Sequence, residues 1–365
     1  MRMIVLSTEY WNARRQARKE LLYKALLKNN GIDSLLYVEP MDLWWRRPVT
    51  VKREQAFDPR LTVVRWRCPI PGERMPQVAM LNRRWQAGRI YKKLKQGKPY
   101  TGIFYHPSNW LTARHLRQSA RWYFDWTEDW GVYHQSPYIA HLQNRAIREA
   151  SGVIAVCESL YERACAIRGG AHHVRLLPNA TALQAGSKPH YDEPLGIRDI
   201  PRPRIGLMGH IGPWMNTELI IALAAAQPEW QWCILGDARG DDRRGLEALA
   251  NVHLLGIYPY EQLPAFMDHM EVLVAPYKPR IECDSSKLYD YLTSGKPIVS
   301  TVLDTTKRLS GLVLTAAPVA QAWSDRIEEA LRDKDEALSA RRRGKAAACS
   351  WDARARELAA WLCGQ

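Results

Sequence analysis

Residues 270–302, MEVLVAPYKPRIECDSSKLYDYLTSGKPIVSTV, leave few folds open. Val272 to Ala275 is a short apolar run, the length of a strand buried on both faces. Pro276, Pro279 and the polar residues after them break it into a loop. Asp284, Ser285 and Ser286 are residue types that cap helix N-termini, and Leu288, Tyr291 and Leu292 space out an apolar helical face. Gly295 stands where a C-terminal stop belongs, with Pro297 two residues on, and residues 298–302 return as a strand. Such a crossover joins neighbouring strands of a parallel sheet. Its helix N-terminus faces the carboxyl ends of the strands, where open α/β sheets bind ligands.

Lys287 sits in the first turn of that helix, at the positive end of the macrodipole, where a cation is disfavoured by roughly 0.3–1 kcal/mol. A bound anion reverses the sign, because the free N–H groups and the ammonium then act on one charge. Asp290, three residues on, shares the helix face. A cation for phosphate beside a carboxylate for sugar hydroxyls suits a nucleotide; a solvated Lys and Asp is the competing reading.

The same alternation runs through the whole chain. Strands are expected at 3–7, 34–38, 61–67, 102–105, 121–126, 152–157 and 173–177, with helices at 12–29, 77–96, 138–150 and 158–167. The helix at 77–96 is basic, with Val78, Leu81, Trp85, Ile90, Tyr91 and Leu94 on its less polar side, fit to pack on the sheet or to lie on a membrane. A Pro- and Gly-rich stretch at 181–203 reads as a linker. A second strand series opens at Ile205 and leads into Gly206, Gly209 and Gly212 of GLMGHIG, a turn whose glycines allow close backbone approach to phosphate. Its spacing departs from the dinucleotide fingerprint, which argues against NAD. The fold class expected is α/β, with two doubly wound Rossmann-like domains: 1–180, then the linker 181–203, then 204–349, with 350–365 a closing helix free to cross back to the first.

The 365 residues are enough for two cores. Seven scattered cysteines without metal-ligand spacing point to a reducing cytosol and no structural zinc. The start, MRMIVLSTEY, lacks a signal-peptide layout. Fifteen tryptophans suggest exposed surfaces that meet sugar or membrane. The net charge of +14 is concentrated: residues 41–100 hold 15 Lys/Arg against four acids, interleaved with Trp44, Trp45, Trp66 and Trp85. Such a segment suits an anionic membrane surface or an acidic partner. It has no recognisable nucleic-acid recognition motif, and a solvated basic face is the plainer reading.

Candidate catalytic groups lie at strand ends in the first half. Asp125, Glu128 and Asp129 stand among aromatics in FDWTEDW, and a carboxylate so placed has a raised pKa suited to general-base work. Acids at a helix start, favoured by the dipole, are the alternative. His106 is a second possible base. The loop after the first strand carries Glu9, Trp11, Arg14 and Arg15.

Two doubly wound domains facing across a cleft, with a nucleotide-type site in the second, resemble the glycosyltransferase-B fold. In family-4-like glycosyltransferases an acid, seven residues and a second acid precede a Gly-x-Pro turn. Here Glu282 and Asp290 keep that spacing, followed by Ser294-Gly295-Lys296-Pro297, with Asp in place of the usual second Glu. The chain is similar to bacterial cell-surface polysaccharide transferases of the xanthan glucuronosyltransferase and teichuronic-acid types through LST…ARR, FDWTEDW, the glycine loop, APY and DSSK. The resemblance implies metal-independent transfer of a hexosyl or glycuronosyl group from a UDP-sugar or GDP-sugar, with no cofactor. Ser285, Ser286, Lys287 and Asp290 would hold the diphosphate and ribose, with Tyr277, Glu282, Gly209, Ile211 and Gly212 around the donor. Glu128, or Asp129 next, would be the base. Glu9, Trp11, Arg14, Arg15 and His106 would meet the acceptor or membrane. The implied acceptor is a polyprenyl-diphosphate-linked or other glycan, and the implied location is the cytoplasmic face of the inner membrane, peripherally held. A nucleotide-sugar epimerase of the same fold is the alternative enzyme, and a basic nucleic-acid-binding protein the non-enzymatic one.

Overall fold

The computed structural model describes residues 1–11, 18–29, 31–42, 58–72, 75–94, 99–184, 191–278 and 284–364. The chain divides into two compact units, residues 1–178 with 354–365, and residues 179–353.

The first unit is built on seven strands: β1 (Arg2–Leu6), β2 (Ser34–Val38), β3 (Leu61–Val64), β4 (Tyr100–Phe104), β5 (Ala120–Trp126), β6 (Gly152–Ala155) and β7 (Val174–Leu176). They pair in parallel in the order β3-β2-β1-β4-β5-β6-β7. The order reverses between β1 and β4, so the crevice at their carboxyl ends is where this topology places a ligand. The second unit holds β8 (Arg204–Met208), β9 (Gln231–Leu235), β10 (Val252–Gly256), β11 (Val272–Ala275), β12 (Ile298–Thr301) and β13 (Leu314–Ala316), in the parallel order β10-β9-β8-β11-β12-β13. Its switch point lies between β8 and β11, at the glycine loop and the 270–302 stretch.

Residues 181–203, read from composition as a linker, carry Leu183 and Ile197 into the core of the second unit. The tryptophans depart from expectation. Trp110, Trp122, Trp126, Trp232 and Trp323 are fully buried, so the large Trp content fills cores more than it lines surfaces. The fit around Trp122 is close enough to require glycine opposite it: a Cβ on Gly102 would lie 2.3 Å from the indole.

The basic helix Pro76–Tyr91 buries its expected apolar side only in part, with Ile90 in the core and Val78 and Leu94 half-buried. It buries Ala79, Asn82, Gln86, Ala87 and Ile90, while Leu81, Trp85 and Tyr91 are 52%, 37% and 63% exposed. Two small alanines allow close approach, and both buried amides are satisfied. Asn82 accepts from the Ile70 N–H at 3.1 Å and donates to the Ile70 carbonyl at 2.8 Å, and Thr112 donates to Gln86 at 2.9 Å. Satisfied amides cost little to bury, whereas the large side chains would need a deeper groove.

Candidate functional sites in the two units

In the first unit the acids of FDWTEDW separate into three roles. Asp125 is fully buried on β5, and its two oxygens accept from Arg18 Nη2 at 3.1 Å and Nε at 3.2 Å. That bidentate pair is structural: breaking a buried pair of this kind costs about 3–5 kcal/mol. Asp129 caps the short helix Trp130–Tyr133 and accepts from Val132 N–H (3.3 Å), Gln143 Nε2 (3.0 Å) and Arg163 Nη2 (2.8 Å). Burial works to raise its pKa, but the hydrogen bonds from Gln143 and Arg163 and the guanidinium charge outweigh it and hold the carboxyl below its ordinary value. A carboxylate so occupied is a poor base. Glu128 differs: burial pushes its pKa up, Glu9 adds to the rise and Lys19 opposes it. Among the described residues its carboxylate makes no hydrogen bond. Of the two neighbouring acids, Glu128 has the properties of a proton acceptor.

His106, at the end of β4, is held as a neutral ring. Its Nδ1 accepts from the Ser108 N–H at 3.2 Å and lies 2.8 Å from Ser108 Oγ, while Nε2 faces His134 Nε2 at 3.2 Å. Burial first, then the neighbouring His134, Arg83 and Lys19, push its pKa down to about 3. With Nδ1 engaged, His106 is suited to hydrogen bonding more than to proton abstraction. Glu9 is ion-paired with Lys19 at 3.0 Å. Trp11 is buried edge-on against Tyr37, and its backbone N–H donates to Glu39 at 2.8 Å, so it is a core residue and not an acceptor or membrane contact. Arg14 and Arg15 lie outside the described residues. At the switch point a cavity of about 220 Å³ is lined by Ser7, Thr8, Glu39, Arg83, Gln86 and His106, among others.

In the second unit the glycine loop and the helix Ser286–Ser294 meet. Gly209 has φ +103°, and a Cβ on it would lie 2.7 Å from Lys287 Cε. The lysine stem therefore lies directly on the loop backbone, and its Nζ sits 5.3 Å from the Tyr277 ring centre. The loop is pinned on both sides. Gly209 N–H donates to Leu235, Ile211 N–H to Asp237, and Lys278 N–H to Trp214, at 2.7, 2.9 and 2.9 Å. Ile211 is buried and its N–H is spent on Asp237, so it anchors the loop and does not face a donor. A Cβ on Gly212 would strike the Trp214 ring, which places that glycine under an indole.

The helix start is not closed by its own side chains: Ser285 is the N-cap and makes no side-chain cap bond. Ser285 is nonetheless committed. Its hydroxyl lies 2.8 Å from the Tyr277 hydroxyl and its N–H donates to Thr305 at 2.8 Å. That removes Ser285 as a direct phosphate ligand and leaves the exposed Ser286, with Lys287, at the helix start. Asp284 is not a cap but a buried hub. It accepts from Tyr289 (3.0 Å), Thr305 (2.8 Å), Arg308 (3.0 Å) and the Asn179 N–H. Asp290 Oδ1 accepts from Thr181 and Tyr260 hydroxyls, each at 2.6 Å. Burial pushes its pKa up to about 7, against the lowering effect of those two bonds. Thr181 and Tyr260 carried no motif signal, since they reach Asp290 only through the fold. Glu282 lies outside the described residues. Among the described residues no group of three or more His, Cys, Asp or Glu is placed to hold a metal, and no helix is long and apolar enough to cross a membrane.

No family model matches the chain. A curated relative, described as a putative teichuronic acid biosynthesis glycosyltransferase, TuaH, of Bacillus subtilis, is 29% identical over 111 residues, covering 29% of this chain and 28% of its own length. The chain is thus aligned to little more than a quarter of that relative. Among solved structures, sucrose-phosphate synthase from Thermosynechococcus elongatus aligns over 100% of this chain and 99% of its own, with TM-score 0.75 at 17% identity. Anabaena HepE in complex with UDP aligns over 100% of both chains, with TM-score 0.73 at 14% identity. A UDP-forming trehalose-phosphate synthase from Burkholderia vietnamiensis covers 100% of this chain and 99% of its own, with TM-score 0.72 at 12% identity. These likenesses show the fold: two parallel-sheet Rossmann-like units of the glycosyltransferase-B type.

Proposed function

We propose that this chain is a glycosyltransferase that moves a sugar from a nucleotide-diphosphate donor to a lipid-linked saccharide in bacterial cell-surface glycan synthesis. The carrying observation is Lys287, laid on the Gly209 backbone at a helix start without a side-chain cap, at the switch point of the second sheet. As the bond from the anomeric carbon to the diphosphate oxygen breaks, charge gathers on the leaving group. Lys287 and the helix N–H groups stabilise that charge without a metal ion. Glu128 of the first unit takes the proton of the acceptor hydroxyl whose oxygen forms the new bond. Asp290 meets the ribose. HepE, whose structure was solved in complex with UDP, and the TuaH similarity support this reading.

A thermal-shift series with UDP-sugars, GDP-sugars and NAD tests the donor class. One nucleotide-sugar series raises the melting temperature by several degrees, since ligand at 100 times Kd adds about 2.7 kcal/mol. NAD does not. Failure of every nucleotide sugar, or stabilisation by NAD alone, overturns the reading. Turnover of the donor with no acceptor present moves the assignment to an epimerase.

The outward face of the helix Pro76–Tyr91 supports work at an anionic membrane. It presents Met80, Leu81, Trp85 and Tyr91 together with Arg84, Arg89, Lys92 and Lys93. Apolar side chains for the acyl boundary and cations for headgroups are the chemistry of interfacial binding. The protein co-sediments with vesicles containing phosphatidylglycerol more than with neutral ones, and a Leu81→Glu/Tyr91→Glu variant loses this while keeping nucleotide binding. Equal partition of variant and wild type refutes this face.

A further inference from the structure

Both acids that flank Lys287 are turned toward the places where the chain passes between the two units. The first unit ends at Pro178, and the chain returns to it at Arg354. These crossings are strapped together within the second unit: Thr181 N–H donates to the Cys349 carbonyl at 3.0 Å, and Thr181 forms a parallel bridge with Ser350. The same crossing is tied to the helix that carries Lys287. Asn179 donates its backbone N–H to the Asp284 carboxylate and its Nδ2 to the Asp284 carbonyl at 2.6 Å. Thr181 donates its hydroxyl to Asp290 at 2.6 Å. Thr181 and the Asp284 side chain are buried, while Asn179 and Asp290 are half-buried, so these bonds are partly shielded from solvent.

The two acids are set differently. Asp284 has the Arg308 guanidinium at 3.0 Å to balance its charge. Asp290 meets the hydroxyls of Thr181 and Tyr260, and burial disfavours its ionised form. A half-buried carboxylate served by neutral hydroxyls is a costlier way to hold a helix than a neutral side chain of similar shape. Hydroxyl donors on a ligand can share that carboxylate with Thr181.

We propose that Asn179 and Thr181 are positioning residues that couple occupancy of the donor site to the chain crossing, acting through Asp284 and Asp290. This rests on the donor-site reading above. A ribose diol donating to Asp290 draws on the carboxylate whose Oδ1 already accepts from Thr181 and Tyr260. Ligand binding and the setting of residue 181 then become one linked equilibrium, and the linkage is reciprocal. Tyr260 and Tyr291 are the titratable groups facing Asp290. Burial raises both above the ordinary tyrosine range, so neither changes charge near neutrality.

The test is nucleoside-diphosphate affinity against pH, by calorimetry with UDP and GDP, joined to amide hydrogen exchange. Wild-type affinity rises with pH as Asp290 ionises. Thr181→Val keeps shape and backbone bridge but removes a bond that favours the carboxylate, so its midpoint moves up by about half a pH unit or more. Thr181→Ser restores it. Phosphate ionisation is common to all variants and cancels in the comparison. Nucleotide slows exchange at 179–183 and 349–353 in the wild type, and this response fades in Thr181→Val while binding persists. Tyr260→Phe raises the midpoint too and serves should Thr181→Val fold poorly. The Tyr260 hydroxyl accepts from the Ala182 N–H at 3.4 Å, so exchange changes at residue 182, while the Thr181 bond to Asp290 keeps the response at 179–181 and 349–353. Equal midpoints and equal exchange responses in wild type and Thr181→Val overturn the coupling. A wild type that binds neither UDP nor GDP overturns the donor site itself.

Discussion

Lys287→Ala weakens nucleoside-diphosphate binding by roughly 10- to 150-fold, the equivalent of a charge-assisted hydrogen bond of about 1.5–3 kcal/mol. The expectation follows from where the ammonium is held. Its stem lies on the Gly209 backbone and its Nζ stands by the Tyr277 ring, at the positive end of the helix Ser286–Ser294. The macrodipole disfavours a cation there and the Tyr277 ring favours it, so the loss of affinity is read beside the melting temperature of each variant. Loss of affinity without loss of stability marks a residue kept for a ligand. Lys287→Met separates packing from charge, because it fills the space beside Gly209 with an unbranched apolar stem. Calorimetry on both variants decides the point. Affinity that falls in Ala but recovers in Met assigns Lys287 to packing, and unchanged affinity in both removes it from the phosphate site. Turnover that survives excess chelator accords with charge stabilisation by Lys287 and the helix start.

The architecture was legible because it is carried by local pattern. Apolar runs of four or five residues, each followed by a turn and a helical period, predict parallel sheets, and the strand–loop–helix–strand of 270–302 places a ligand site at a strand end. What stayed hidden depends on partners far away in the chain. The helix Pro76–Tyr91 has an apolar side by periodicity, yet it buries Asn82 and Gln86 because Ile70 and Thr112 satisfy them. A helical wheel cannot register those partners. Trp11 looks like a loop aromatic, but Tyr37 and Glu39 draw it into the core. Ser285 and Ser286 are equivalent in sequence, and Thr305 and Tyr277 separate them. Asp284 and Asp290 reach Asn179 and Thr181 across separations of 105 and 109 residues, beyond any motif. Glu128 and Asp129 are chemically alike neighbours. Their difference comes from Gln143 and Arg163, which claim one and not the other.

That last distinction carries the second large effect. Glu128→Gln lowers turnover by about 10²- to 10⁴-fold, the range lost when a general base is removed. Donor affinity stays within a few-fold of wild type, because Glu128 belongs to the first unit and the proposed donor groups to the second. The pH profile gives an independent reading. Burial and Glu9 raise the pKa of Glu128, and the reactive form is the carboxylate. Activity therefore climbs as pH rises through that elevated pKa and is lost below it, and the acidic limb vanishes in Glu128→Gln. Lys19→Met removes the cation that opposes the rise and shifts the limb to higher pH. Asp129→Asn behaves differently. It gives up the ion pair with Arg163, so stability falls while any loss of turnover follows the loss of folded protein. Near-normal turnover in Glu128→Gln would show that the acceptor proton leaves by another route, such as the departing diphosphate in a retaining transfer, with Glu128 orienting the acceptor. A loss of a hundredfold or more, with donor binding intact and the acidic limb gone, makes Glu128 the base.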